Sequence, residues 1–279
     1  MPPRSRATLL GLPQELRDNI YAHLLRTDVD YKVAKEYDWR YGRHSFHAKP
    51  ERPEGPLREY VVPWTSLALV CRSVNDELSN VLGSIADHSK SGCNDLTRWK
   101  LDVELPGRGV GAVTWRMLPC APRNVRDLDV TINAVKGIRF WGDGGPMGSV
   151  SCLYQLLNAI LHCGPHLRWT SPLPKHLHLN ELRIFVEGSG PPKYMTWTND
   201  NNGEPEAETV RHGDTFCGLR NLVGSLCGAG MLVGYVDVVR ITDGIDELVE
   251  TLDKESIVDD VKVVPSQWDG YGFEWGREG

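Results

Sequence analysis

The chain has 279 residues, of which 41% are hydrophobic and 24% are charged, an ordinary composition for a soluble globular protein of one large domain or two small ones. Its formal net charge of −6 argues against nonspecific nucleic-acid binding, which requires a basic footprint. No apolar run reaches the length of a transmembrane helix. The charge and the lack of such a run together lead us to expect neither a nucleic acid nor a membrane as a partner.

The first predicted element is an amphipathic helix within residues 9–25. Pro13 suits the first helical position, because its fixed φ is already helical and its missing N–H would be unpaired there. Leu16, Ile20 and Leu24 then recur every four residues and form one apolar stripe. A helix with such a stripe either buries it in its own domain or offers part of it to a partner.

A second helix is predicted over residues 64–82, with its apolar side chains on one face. The intervening residues 26–62 are polar and contain several aromatic residues and prolines. Small and polar residues at 83–95 follow the second helix and predict a domain boundary.

Both helices contain residues of a known family pattern. The first contains Leu12-Pro13-x-Glu15-Leu16-Arg17-x-x-Ile20-Tyr21-x-x-Leu24-Leu25, and the second contains Leu67-Ala68-Leu69-Val70-Cys71-Arg72-Ser73-Val74. In this order they resemble the F-box-like domain of filamentous-fungal proteins, and the long insertion resembles a divergent group of that family. The resemblance covers residues 1–85, with the insertion at 26–62. It implies that the helices bind the Skp adaptor of a cullin–RING ubiquitin ligase through Leu12, Pro13, Leu16, Ile20, Leu24, Val70 and Cys71.

The remaining chain predicts an α/β body at residues 96–257. Alternating apolar residues predict strands at 99–105, 110–118, 125–133, 179–187 and 235–241. Helical patterns separate the last three strands, and a final short helix would use Ile245, Leu248, Val249 and Leu252. This order predicts a largely parallel sheet with the strands near Leu128, Leu182 and Val238 side by side. We therefore expect an α+β or α/β fold, in which the helical module packs on an irregular stack similar to leucine-rich repeats.

An aromatic-rich tail occupies residues 258–279. Each large ring is worth on the order of 1.5–3 kcal/mol when it is buried, so rings left in water are costly. We expect the tail to pack on the body or to bind a partner through Trp268, Tyr271, Phe273 and Trp275.

The cysteines predict a reducing compartment. Their number, seven, is odd, and no Cys-x-x-Cys pair occurs. Residues 1–6 lack the apolar core of a signal peptide. We expect free thiols and a cytoplasmic or nuclear location.

No local pattern indicates catalysis. The cluster formed by His162, Cys163 and His166, with His176 and His178, fits no familiar zinc spacing. The glycine-rich stretches at 107–111 and 142–148 lack the features of phosphate-binding loops, and no Gly-x-Ser-x-Gly motif occurs. We expect no catalytic residue, no metal and no cofactor, and hence no enzyme.

The resemblance implies a non-catalytic substrate receptor that links a client protein to a Skp–cullin–RING ligase. A protein-interaction scaffold that keeps the F-box-like fold without a ligase role is an alternative. A second alternative is an enzyme of unrecognised type that uses the α/β body. The sequence names neither the client nor any regulation.

Overall fold

A computed structural model describes residues 8–27, 29, 31–38, 43–48, 67–88, 95–106, 113–136, 149–167, 172–187, 213–228, 230–252 and 275. These residues form a mixed α and β fold, as the sequence predicts. The helices are α1 (Gln14–Leu25), α2 (Arg72–His88), α3 (Ser149–Cys163) and α4 (Gly213–Gly228). The strands are β1 (Tyr31–Asp38), β2 (Arg43–Ala48), β3 (Arg98–Pro106), β4 (Val113–Met117), β5 (Asp127–Lys136), β6 (Leu179–Glu187), β7 (Val236–Thr242) and β8 (Glu247–Thr251).

The described strands form one mixed sheet in the order β2-β1-β4-β3-β5-β6-β7-β8. Strands β3, β5, β6 and β7 are parallel, and antiparallel strands flank them on both sides. Leu128 pairs with Leu182, which pairs with Val239 on the next strand. The predicted adjacency of these three strands is therefore confirmed.

One face of the sheet forms the main hydrophobic core with α3 and α4. Alternate residues of the central strands are buried there, as the period-two pattern requires. Trp99 and Trp115 contact each other edge to face, with ring centroids 5.5 Å apart. Their indole N–H groups donate to the carbonyls of Cys120 and Pro165, at 3.1 and 3.0 Å. These two buried rings therefore have satisfied indole donors.

The opposite face carries ion pairs between neighbouring strands. Arg98 lies 3.6 Å from carboxylate oxygens of Asp127 and of Asp129 on β5. Arg240 on β7 pairs with Glu181 on β6 and with Glu247 on β8, at 3.1 and 2.7 Å. Alternation along each strand thus separates an apolar core face from a charged face.

The predicted last helix is wrong, because its residues form β8. Asp243 accepts hydrogen bonds from the backbone N–H groups of Ile245 and Asp246, at 2.9 and 2.8 Å. Gly244 has a φ of 90°, which favours glycine. This turn sends the chain back along β7, so Leu248 packs against the core while Val249 is exposed.

Residues 26–62 also differ from the expectation, because they contribute strands to the body. β1 and β2 pair antiparallel with each other, and β1 pairs with β4. The insertion therefore extends the sheet of the body and does not belong to the helical module alone.

The predicted second helix is interrupted by a turn and ends later than predicted. Leu67 and Ala68 are helical, and the Val70 N–H in the turn that follows donates to the Leu67 carbonyl at 3.1 Å. Helix α2 then continues through Gly83 to His88. A glycine inside a helix costs only about 1 kcal/mol relative to alanine, so it does not end the helix by itself.

Trp275 packs on the body, as expected. It lies against the main core, with its ring centroid 5.3 Å from that of Tyr154. Trp268, Tyr271 and Phe273 lie outside the described residues.

Candidate docking surface on the N-terminal helices

Helices α1 and α2 share a small core of their own. Tyr21 and Leu25 of α1 pack with Val74 and Leu78 of α2, and Leu96 before β3 joins them. All five side chains are at most 2% exposed. The buried side of α1 is therefore the side that carries Tyr21 and Leu25.

The predicted apolar stripe is turned away from this core. Leu16 is 50% exposed and Ile20 is 37% exposed, whereas Leu24 is half-buried. Leu16 therefore does not belong to this core. A helix with apolar residues on two adjacent sides can bury only the side that faces its neighbour, and here that is the Tyr21 side.

The start of α1 is also accessible. Pro13 is the N-cap residue and is exposed, rather than being the first helical residue, and Leu12 before it is half-buried. A 3-10 turn at Leu9–Gly11 leads into this corner, and its Leu10 is 47% exposed. The backbone N–H of Leu16 donates to the Pro13 carbonyl at 3.1 Å, which closes the first helical turn.

The turn before α2 adds two exposed apolar side chains. Leu69 is 85% exposed and Val70 is 68% exposed, so both side chains lie mostly in water. Cys71 is half-buried and packs against the small core. We define the N-terminal apolar face as Leu10, Leu16, Ile20, Leu69 and Val70.

A hydrogen-bonded ion pair fixes the rotation of α1 on α2. Arg17 donates from Nε and Nη2 to the two carboxylate oxygens of Glu77, at 2.9 and 2.8 Å. The Tyr21 hydroxyl donates to the same carboxylate at 2.8 Å. Arg17 also donates to the Leu12 carbonyl at 2.5 Å. The pair thus ties the corner at Leu12, helix α1 and helix α2 together.

The electrostatics of this group agree with its geometry. Hydrogen bonds from Arg17 and then from Tyr21 hold the pKa of the Glu77 carboxyl below its ordinary value. Burial, followed by the hydrogen bond to Glu77, raises the pKa of the Tyr21 hydroxyl to about 12. The apolar periodicity did not reveal this group. Its signal is the four-residue spacing of Arg17 and Tyr21, which places both on one side of α1.

Two histidines of the cluster considered for zinc, His162 and His176, lie against the ring of Tyr235. The His162 ring stacks on Tyr235 with centroids 5.1 Å apart, and His176 lies 4.5 Å from the same ring. Burial, together with the nearby His176, lowers the pKa of His162 to about 4. Within the described part of the chain, no group of three or more His, Cys, Asp or Glu residues could hold a metal ion.

The described cysteines Cys71, Cys120, Cys163, Cys217 and Cys227 are free. Burial raises the pKa of the Cys120, Cys163 and Cys227 thiols to about 12. Burial therefore disfavours the thiolate form of these three cysteines. None of the helices in the described ranges is both long and apolar enough to cross a bilayer.

Comparisons with known proteins add no relative. No family model, curated protein or solved structure matches the chain. The N-terminal apolar face is therefore the observation on which a function can be proposed.

Proposed function

We propose that this protein is a non-catalytic substrate receptor whose N-terminal apolar face binds a Skp-type adaptor. The observation that carries the proposal is the exposure of Leu16 and Ile20 on a helix whose other side is buried. Both residues belong to the F-box-like motif, and Val70 of the second motif is exposed as well. Residues kept for a partner are expected to be accessible in the unbound protein.

The energetics support a docking role for this face. Full burial of a large apolar side chain contributes about 1.5–3 kcal/mol, so several such side chains in one interface provide substantial affinity. Leu16 and Ile20 are one helical turn apart, the spacing with which a helix anchors in a partner groove. The Arg17–Glu77 pair holds α1 in one orientation, so the anchors are preorganised.

The body would select the client. In it β5, β6 and β7 alternate with α3 and α4, and we propose that these units act as an irregular stack of the leucine-rich-repeat-like kind. Such a receptor performs no chemistry itself. It raises the effective concentration of client lysines near the ligase by tethering.

A pull-down from fungal cell extract, read by mass spectrometry, tests the proposal. The wild-type protein should capture a Skp-type adaptor together with a cullin, and Ile20→Asp should lose both. Ile245→Asp is the matched control, because Ile245 is 75% exposed in the turn before β8, the strand that ends the sheet away from β3 and the N-terminal helices. Capture that is equal for Ile20→Asp and wild type would contradict the proposal.

A scaffold without a ligase role is the second candidate. It is favoured by the hairpin of β1 and β2, which separates the two motif helices and joins the sheet of the body. Capture of other proteins without any adaptor or cullin would select this candidate.

A further inference from the structure

Strand β8 ends the sheet on the side away from the N-terminal helices. Among the described strands it pairs only with β7. The Leu252 N–H donates to the Asp237 carbonyl at 2.7 Å, and the Asp243 N–H donates to the Asp246 carbonyl at 3.3 Å. These bonds fix which residues of β8 direct their backbone groups toward β7.

Backbone groups of an antiparallel strand point alternately toward and away from the neighbouring strand. Because residues 237 and 252 form a hydrogen-bonded pair, the pairs 239–250 and 241–248 are hydrogen-bonded too. The N–H and C=O groups of Glu247, Val249 and Thr251 therefore point away from β7. They form a row of donors and acceptors at the edge of the described sheet.

Exposed apolar side chains lie at this edge and beside it on the sheet. Phe185 is 40% exposed, Ile245 is 75% exposed and Val249 is 44% exposed. A Cβ atom at Gly244 would lie 3.8 Å from Cε2 of Phe185, so the β7–β8 turn lies against the phenylalanine ring. Phe185 lies on β6, two strands in from the edge, so we call Ile245 and Val249 alone the β8 edge patch.

The residues of this edge are predominantly acidic, and one of them, Glu247, is paired with Arg240 of β7. Residues 243–252 contain four acidic residues, Asp243, Asp246, Glu247 and Glu250, and no lysine or arginine. Natural edge strands are commonly protected from pairing by lysine or proline, and β8 contains neither. Two copies of β8 would bring two acidic strands together, which like-charge repulsion disfavours. The edge therefore suits a basic partner better than a second copy of the chain.

We propose that the β8 edge binds an extended segment of a partner protein that alternates basic and β-branched apolar residues. The segment would add to the sheet as a further strand. Its backbone would pair with Glu247, Val249 and Thr251, and its apolar side chains would contact the β8 edge patch. The edge lies roughly 19 Å, or four strand spacings, from β3, next to which the helical module attaches. A client role for this segment rests on the proposed function, whereas the binding itself does not.

Fluorescence anisotropy with the full chain tests the proposal. The probe is a fluorescein-labelled heptapeptide of alternating lysine and valine, and the comparison peptide alternates glutamate and valine. We expect saturable binding of the lysine peptide only. Val249→Pro removes an outward N–H without removing a bond to β7, so it should weaken binding by about tenfold or more. Val249→Ile keeps the N–H and should bind within about twofold of wild type.

Ile245→Ser is a second variant, which leaves the backbone of β8 unchanged. It should also weaken binding of the lysine peptide, and its melting temperature should stay near that of wild type. Equal binding by wild type and Ile245→Ser, or equal binding of the two peptides, would overturn the proposal. A wild-type dimer in sedimentation that Val249→Pro abolishes would instead assign the edge to a second copy. Peptide binding without adaptor capture would refute the ligase role and leave the docking edge intact.

Discussion

Glu77 is the residue on which the orientation of α1 depends, because it accepts hydrogen bonds from both Arg17 and Tyr21. Arg17 and Tyr21 lie one turn apart on α1, so a single carboxylate on α2 fixes the rotation of the first helix. This rotation keeps Leu16 and Ile20 on the outside. The polar group therefore determines which apolar residues are left for a partner.

We predict that Glu77→Ala lowers the melting temperature and weakens adaptor binding. The substitution leaves the Tyr21 hydroxyl and the Arg17 guanidinium without their shared acceptor, and a buried donor without an acceptor is unfavourable. Asp76→Asn is the matched control, because Asp76 is the exposed neighbour of Glu77 on the same helix. Differential scanning fluorimetry and an adaptor titration measure both effects. A Glu77→Ala variant that melts and binds like Asp76→Asn would refute this role.

His162 makes the stability of the body depend on pH. Its pKa is about 4 in the folded protein because of burial and the nearby His176, against about 6.5 in an unfolded chain. Between these values the unfolded state binds more protons, so the free energy of unfolding falls as the pH falls from 6.5 toward 4. Above pH 6.5 this group contributes no pH dependence.

We predict that the protein is less stable at pH 5 than at pH 7 by on the order of 1–2 kcal/mol through this residue. Urea denaturation at the two pH values measures the difference. His162→Phe should reduce this difference, because the phenylalanine ring does not titrate. An identical pH dependence in wild type and His162→Phe would show that other groups are responsible.

At the scale of the elements, regular periodicity predicted the strands and helices that form the core. The strands around Leu128 and Leu182 and helix α3 agree with their patterns to within a few residues. The helical and the strand periodicity each depend only on residues that are close together in the sequence. In these segments the apolar side chains are buried where the periodicity places them.

Two other elements could not be predicted from local pattern. The spacing of Ile245, Leu248, Val249 and Leu252 fits a helix, and the turn at Gly244 and its pairing with β7 make a strand instead. Likewise, β1 depends on pairing with β4, about 80 residues away in the chain. Such long-range pairing leaves no mark within a short window of sequence.

The β7–β8 turn can be tested through its glycine. Gly244 has a φ of 90°, where a side chain is strained, so Gly244→Ala should destabilise the protein by about 1–2 kcal/mol. Gly224 lies inside α4, and a Cβ atom added there would meet nothing within 4 Å, so Gly224→Ala should stabilise the protein by about 0.5–1 kcal/mol. Urea denaturation measures both changes. Effects of the same sign would contradict the turn geometry.

For the whole molecule, the sequence named some residues of the N-terminal apolar face, but not Leu10 or Leu69, and it did not predict which side of α1 is buried. The motif named Leu16, Ile20 and Val70, all of which are exposed. It did not reveal that Tyr21 rather than Leu16 would fill the core, because that depends on Glu77 of a distant helix. The β8 edge was missed as well, since its residues were assigned to a helix.

The two proposed docking surfaces, the N-terminal apolar face and the β8 edge, are separate. The N-terminal helices attach beside β3 through Leu96, and the β8 edge ends the opposite side of the sheet. A receptor needs such separation, because adaptor and client must bind at the same time. Separate surfaces also allow each interaction to be removed without the other, with Leu16 and Val249 as the positions to change.

The most direct test of adaptor binding by the N-terminal apolar face is a calorimetric titration of purified Skp-type adaptor against wild type, Leu16→Asp and Ile245→Asp, with thermal melts alongside. Wild type and Ile245→Asp should bind, and Leu16→Asp should show no binding. All three should melt within a few degrees of each other, because both positions are exposed and surface substitutions usually change stability by under about 0.5 kcal/mol. No binding by the folded wild-type protein at tens of micromolar adaptor, roughly −6 to −7 kcal/mol, would contradict the proposed function, as would binding by Leu16→Asp equal to that of wild type.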